Sequence, residues 1–187
     1  MPQTIYYLPG RGGQLLTGLG QVLISRGLQV IGRETLGQFR DLSFAEQVQV
    51  ISDDLHARFW DEDSLVIANS FGAYLFLHAQ TQMPPYPGRV LILSPIVGEF
   101  ESHESGTVYS PPYPKRLSEL ASQKAFPTPR NARVHVGELD WQSVPANVIE
   151  FGALTGIPVT VVPGAGHMLP KDYVGELLDT WLRQGLA

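Results

Sequence analysis

The chain has 187 residues, of which 43% are hydrophobic and 17% charged, and its formal net charge is −5 at pH 7. This composition excludes an intrinsically disordered chain, which would be poorer in apolar and richer in charged residues, and the length predicts a single domain over residues 1–187. The acidic balance, with no basic run longer than Lys115-Arg116, excludes the clustered basic face of a nucleic-acid binder.

The first half of the chain alternates short apolar runs with helical periodicity. Thr4–Leu8 and Leu28–Ile31 are predicted strands, and the leucines and valines between them predict a helix from about Gly13 to Arg26. Ser43 is a candidate cap for a second helix. The apolar face of that helix consists of Phe44, Val48, Ile51 and Leu55.

The second half continues the alternation. Leu65–Ala68 and Val90–Leu93 are predicted strands, with a helix of about ten residues between them. Arg133–Val136 and Val159–Val162 are two further strands, with a helix from about Pro145 to Leu154 between them. A last helix is indicated by apolar residues at helical spacing, namely Val174, Leu177, Leu178, Trp181 and Leu182.

About six short strands without polar alternation are typical of a sheet that is buried on both faces. Because strand and helix alternate along the whole chain, we expect an α/β three-layer sandwich of mostly parallel strands, with helices on both faces.

Residues 97–130 interrupt the alternation of strands and helices. This segment is rich in proline and tyrosine, and only Arg116–Lys124 in it has a helical pattern. So long an irregular segment is often a lid or a binding loop. Tyr109 and Tyr113 are therefore candidate substrate-binding residues, although both residue types also stiffen exposed surface loops.

A nucleophile motif lies between the third strand and the following helix, in Ala68-Asn69-Ser70-Phe71-Gly72. The small residues two positions before and after Ser70 allow the sharp strand-to-helix turn that exposes a nucleophilic hydroxyl. The alternative interpretation is a serine that only caps the helix.

Two later residues complete a possible catalytic set. Asp140 follows the fifth strand and His167 follows the sixth, and parallel strands would bring both to the same sheet edge as Ser70. His167 would then accept the serine proton and Asp140 would orient the imidazole. Glu138 is a reserve acid.

The remaining histidines are interpreted as structural. His56 and His78 fall in predicted helices, His135 falls in a strand and His103 falls in the proline-rich segment.

A hydrolase also needs backbone N–H donors for the developing oxyanion. The first strand ends in Leu8-Pro9-Gly10-Arg11, so the backbone amides of Arg11 and Phe71 are the candidate donors. The Arg11 guanidinium could also reach an anionic substrate, although a solvated surface arginine is the simpler interpretation.

From Tyr6 to Trp181 the chain resembles the α/β-hydrolase superfamily, specifically its small, short-lidded serine hydrolases. The resemblance is carried by the residues around Gly10, Ser70, Asp140 and His167. It implies hydrolysis of a small ester, thioester or amide through an acyl-enzyme on Ser70, with no metal or organic cofactor. The departures are Pro9 in place of the histidine that many members have, and Ala68 in place of the first glycine of the motif.

Two alternatives remain open. Gly10 and Gly12 with Glu34 partly match a dinucleotide-binding fingerprint, although Leu15 replaces its third glycine. A binding protein without activity on a hydrolase scaffold, or a lyase or haloperoxidase on it, would carry the same residues.

No apolar run approaches the roughly 18 residues of a membrane span, and the N-terminus lacks the pattern of a secretory signal. The chain contains no cysteine, which excludes disulfides and a cysteine nucleophile and fits a reducing compartment. We therefore expect a cytoplasmic protein with a small-molecule substrate and leave its oligomeric state open.

Overall fold

The computed structural model describes residues 3–102 and 104–184. Its strands, in chain order, are β1 (Thr4–Leu8), β2 (Gln29–Gly32), β3 (Leu65–Asn69), β4 (Arg89–Leu93), β5 (Phe100–Glu101), β6 (Val108–Tyr109), β7 (Asn131–Gly137) and β8 (Val159–Val162). Its helices are α1 (Leu19–Ile24), α2 (Gly37–Asp41), α3 (Phe44–Arg58), α4 (Phe71–Gln80), α5 (Arg116–Ser122), α6 (Pro145–Thr155) and α7 (Lys171–Arg183).

Six of the strands form one sheet in the order β2-β1-β3-β4-β7-β8. Every pairing in this sheet is parallel. All of its strands therefore end at the same edge, which is where open α/β sheets bind their ligands. The predicted architecture of parallel strands in an α/β sandwich is confirmed.

Successive side chains of a strand point to opposite faces, so each strand supplies two cores. In β1, Tyr6 and Leu8 pack with residues of α3 and α4 on one face of the sheet. Ile5 and Tyr7 pack with residues of α1 and α7 on the other face. Burial on both faces explains why the strands lack polar alternation.

The start of α3 and the packing of α7 follow from particular side chains. Ser43 and Glu46 form a reciprocal capping box at the start of α3, as the cap prediction for Ser43 required. At the far end of the chain, Trp181 of α7 is buried against the sheet, and the guanidinium of Arg89 lies over its indole at 4.7 Å.

The predicted helix from Gly13 to Arg26 is wrong over its first six residues, because α1 begins only at Leu19. The backbone N–H of Gly13 donates to Thr35 Oγ1 at 3.0 Å, and that of Leu15 donates to Glu34 Oε1 at 3.0 Å. These long-range bonds fix the segment after β1 in a non-helical conformation.

Residues 97–130 contain more regular structure than predicted. A short antiparallel hairpin of β5 and β6 precedes α5, and α5 ends at Ser122 because Lys124 adopts a φ of 55°. Within the described part of the chain, no helix is both long and apolar enough to cross a membrane.

Candidate active site

Ser70 lies in the turn between β3 and α4, in a backbone conformation that side chains rarely adopt. Its φ is 53° and its ψ is −117°. Such values cost a non-glycine residue about 1–3 kcal/mol and persist only where the surroundings impose them. Ser70 is the single residue between the strand and the helix, which makes this the sharp turn of a nucleophile elbow.

Small residues let neighbouring backbone segments close around this turn. A Cβ added at Gly72 would lie 2.3 Å from the carbonyl oxygen of Leu8 and 2.4 Å from that of Pro9. Gly10 passes so close to the serine that its own Cβ would lie 3.2 Å from Ser70 Cβ. The end of β1 and the start of α4 can therefore meet at Ser70 only because both positions are glycine.

His167 follows β8 and places its ring between Ser70 and Asp140. Its Nε2 lies 2.8 Å from Ser70 Oγ, and its Nδ1 lies 2.9 Å from both carboxylate oxygens of Asp140. An ionised carboxylate can only accept, so Nδ1 carries the proton and donates it. The lone pair of Nε2 then faces the serine hydroxyl, which donates to it.

Asp140 is 2% exposed, and its buried charge is balanced by several donors. Besides His167, its Oδ1 accepts from the backbone N–H of Gln142 at 2.9 Å and of Ser143 at 2.8 Å. These amides hold the carboxylate in one orientation, which in turn orients the imidazole.

Ser143 has a positioning role that our sequence analysis missed. Its hydroxyl donates to the carbonyl of Pro95, which ties the loop after β7 to the loop after β4. The pattern Asp-Trp-Gln-Ser was the available signal, since a short acidic side chain often accepts from amides two and three residues later.

Glu138, the reserve acid, points elsewhere. Its carboxylate accepts from the backbone N–H of Gly164 at 2.8 Å and stabilises the loop after β8. Of the two carboxylates at the end of β7, only that of Asp140 is hydrogen-bonded to His167.

The backbone amides of Arg11 and Phe71 belong to the two segments that meet at Ser70, the loop after β1 and the start of α4. Phe71 is the first residue of α4, so its amide has no partner within the helix. Arg11 follows Gly10, the residue in close contact with Ser70. Among residues 3–102 and 104–184, neither amide donates to a protein acceptor.

Tyr109 and Tyr113 lie in different aromatic groups. Tyr109 is stacked on Phe100 at 5.2 Å, and both rings approach Trp141, the neighbour of Asp140. Tyr113 packs instead against Phe44, at 6.0 Å between ring centroids. No described contact connects either tyrosine to Ser70, so their predicted role in substrate binding stays a prediction.

Three of the other histidines have no contact with the Ser70 site. His56 Nδ1 donates to the carbonyl oxygen of Ser52 at 2.9 Å, and its ring stacks on Trp60. Burial is the larger cause that lowers the pKa of His78 and of His135 to about 4 in each case. The smaller cause is the positive charge of Arg116 for His78 and of Arg133 for His135. His103 lies outside the described residues.

The dinucleotide interpretation loses its structural basis. A fingerprint of this kind needs a helix N-terminus directly after the glycines, but α1 begins at Leu19. The carboxylate of Glu34 is bonded to the backbone of Leu15 within the protein. In the described part of the chain, no group of three acidic, histidine or cysteine side chains is arranged to hold a metal ion.

Solved structures share this fold along almost the whole chain. An α/β-hydrolase enzyme from the metagenome of Mar Chica lagoon sediments has a TM-score of 0.63 at 15% identity, over 98% of this chain and 92% of its own. Est1E from Butyrivibrio proteoclasticus has a TM-score of 0.66 at 12% identity, over 99% and 88%. A carboxylesterase structure from the thaumarchaeon Nitrososphaera gargenis has a TM-score of 0.61 at 13% identity, over 96% and 89%.

No protein-family model matches the chain, and a search of the curated proteins finds no significant match. At these identities the structural neighbours show the fold alone. That fold is the α/β-hydrolase fold, as the resemblance of the motifs implied.

Proposed function

We propose that the protein is a serine hydrolase that cleaves a small carboxylic ester or thioester through an acyl-enzyme on Ser70. The observation that carries this proposal is the continuous hydrogen-bonded chain from Ser70 Oγ through His167 to Asp140. Nucleophile, base and orienting acid are each within hydrogen-bond reach of the next, as nucleophilic catalysis requires. The α/β-hydrolase fold, shared with esterases, supports the same reaction class.

In the first half-reaction, Ser70 Oγ attacks the carbonyl carbon while its proton passes to His167 Nε2. The imidazolium that forms is stabilised by the ionised Asp140, to which Nδ1 continues to donate. The tetrahedral intermediate then collapses, His167 returns the proton to the leaving alcohol or thiol, and the acyl group remains on Ser70. In the second half-reaction, His167 takes a proton from water while the water oxygen attacks the acyl carbon. The second tetrahedral intermediate then collapses, the bond to Ser70 Oγ breaks, His167 returns the proton to Ser70 Oγ, and the carboxylic acid is released.

The negative charge on the intermediate needs donors that are already in place. The proposed oxyanion hole consists of the amides of Arg11 and Phe71, which have no acceptor among the described residues; Phe71 directly follows Ser70, and Arg11 follows Gly10, which packs against Ser70. Loss of one such donor typically costs about 3 kcal/mol of transition-state stabilisation.

Exposed apolar residues on the side of the sheet where Ser70 lies support an apolar acyl group. Most of the exposed large hydrophobic residues lie in segments that follow the carboxyl ends of the sheet strands, namely Leu16, Val108, Tyr109, Tyr113, Leu139 and Met168. Burial of such side chains against an acyl chain would contribute about 25 cal/mol per Å² of apolar surface removed from water.

The test is covalent labelling with a fluorophosphonate, followed by mass spectrometry of the peptides. We expect a single adduct on Ser70. It should be lost in His167→Ala and retained in His56→Ala, because His56 lies in the last turn of α3, where its ring stacks on Trp60. Folded protein that remains unlabelled at Ser70 would refute the mechanism. A screen of p-nitrophenyl esters of increasing acyl length would then define the acyl preference.

A further inference from the structure

The side chain of Arg11 contacts the residue that follows the proposed nucleophile. Its guanidinium carbon lies 4.7 Å from the centroid of the Phe71 ring, and Phe71 directly follows Ser70. The residue before Arg11, Gly10, packs against Ser70 itself. Contact with an aromatic face stabilises a guanidinium, so this position is favoured over free rotation in solvent.

No carboxylate neutralises this charge. Within residues 3–102 and 104–184, no acidic group lies within ion-pair distance of Arg11. Glu34, which packs into the same loop, uses its carboxylate on the amide of Leu15. The buried charge of Asp140 is already bonded to His167 and two amides. Among the described residues, the guanidinium of Arg11 therefore has no acidic partner, and it lies over the ring of the residue next to Ser70.

From this position we infer that Arg11 selects substrates carrying an anionic group, such as a carboxylate, near the scissile ester or thioester. A guanidinium offers a planar fork of N–H donors that matches a carboxylate or phosphate. The inference rests on the proposed hydrolase function, and it assigns a specificity role to the side chain of Arg11 in addition to the proposed role of its amide.

The experiment compares kcat/KM for matched charged and neutral esters. Mono-p-nitrophenyl adipate against its methyl ester places the charge on the acyl side. Para-acetoxybenzoate against para-acetoxybenzamide places it on the leaving-group side. The readout is the ratio of charged to neutral kcat/KM within each pair, after subtraction of the uncatalysed rate.

Arg11→Gln is expected to lower this ratio about tenfold in at least one pair, because a hydrogen bond to a charged group is lost. Arg11→Lys, which keeps the charge, should restore part of it. The matched control is Arg58→Gln, at the exposed end of α3, which should leave the ratio unchanged. In the wild-type protein the same ratio should fall as salt is raised to about 0.5 M, since salt screens exposed charges.

Ratios that do not respond to Arg11→Gln in either pair, whatever their salt dependence, in a protein that hydrolyses the neutral esters, would overturn this inference and leave the hydrolase proposal standing. Absence of both ester hydrolysis and fluorophosphonate labelling would instead overturn the hydrolase proposal, and this inference with it.

Discussion

Asp140→Asn tests whether the charge of Asp140 sets the protonation of His167, because the substitution removes the charge with almost no change in side-chain shape. The two backbone amides of Gln142 and Ser143 both donate to Oδ1 of Asp140. In the variant, the carbonyl oxygen of the new amide must keep that position, because an NH₂ group there would face two donors. The amide nitrogen then takes the place of Oδ2, 2.9 Å from His167 Nδ1.

That arrangement moves the ring proton of His167 from Nδ1 to Nε2. An NH₂ group can only donate, and its hydrogens would oppose a proton on Nδ1, although Oδ1 also lies 2.9 Å from Nδ1. We therefore expect Nδ1 to become the acceptor and the ring proton to move to Nε2. Nε2–H then faces Ser70 Oγ and cannot take its proton. Selection of the wrong tautomer in a serine–histidine–aspartate site lowers kcat by about ten-thousandfold. Since both backbone bonds to Oδ1 are retained, we expect the free energy of unfolding to change by less than about 1 kcal/mol.

The assay is kcat for a p-nitrophenyl ester together with the rate of fluorophosphonate labelling, both measured on protein whose thermal unfolding has been compared with wild type. Glu138→Gln is the matched control, because this carboxylate belongs to the same loop but bonds to Gly164. Activity within tenfold of wild type in Asp140→Asn, or an equal loss in Glu138→Gln, would refute the tautomer argument.

Substitutions at three positions test the elbow and a buried histidine. Ser70→Gly and Ser70→Ala should both abolish hydrolysis, but calorimetry should find the glycine variant more stable by about 1 kcal/mol, because only glycine relieves a φ of 53°. Equal stabilities of the two variants would contradict the strain. Gly72→Ala should destabilise the protein by at least about 2 kcal/mol in urea unfolding, since its Cβ would lie 2.3 Å from a backbone carbonyl oxygen. The control is Gly175→Ala in α7, where the closest atom would be 3.6 Å away, and this variant should be neutral or more stable. Burial and then the charge of Arg116 lower the pKa of His78 from 6.5 to about 4, so the unfolded chain takes up this proton first, and stability present above pH 6.5 is lost by up to about 3 kcal/mol as the pH falls to 4. His78→Phe should make this part of the stability profile less steep, with the remainder due to His135, whose pKa is lowered to about 4 as well. An unchanged slope would exclude His78 as a source.

The site could be predicted from the sequence to the extent that it depends on local chain geometry. The small residues around Ser70 report a tight strand-to-helix turn, and this turn is present. The positions of Asp140 and His167 just after predicted strands were sufficient to place both at one sheet edge. Parallel strands all end at this edge, so residues that follow different strands lie near one another even when they are far apart in the chain.

The segment from Gly13 to Gly18 could not be predicted in the same way. Its leucines have helical spacing, but its amides donate to side chains at Thr35 and Glu34. Those acceptors lie beyond the next strand, so a local pattern carries no information about them. The hairpin of β5 and β6 escaped prediction for a related reason, since strands of two residues are too short to have a period.

By itself, the amino-acid sequence determined the α/β class, the elbow at Ser70 and the types of residue available for acid–base chemistry, because each of these depends on side-chain size and spacing along a few turns of chain. Only the tertiary structure decided between Glu138 and Asp140, which are two residues apart at the end of one strand. The turn after β7, fixed by the bond from Leu139 N to Ala165 O, directs one carboxylate to a backbone amide and the other to His167. Such a choice depends on contacts between distant loops, which local pattern cannot encode.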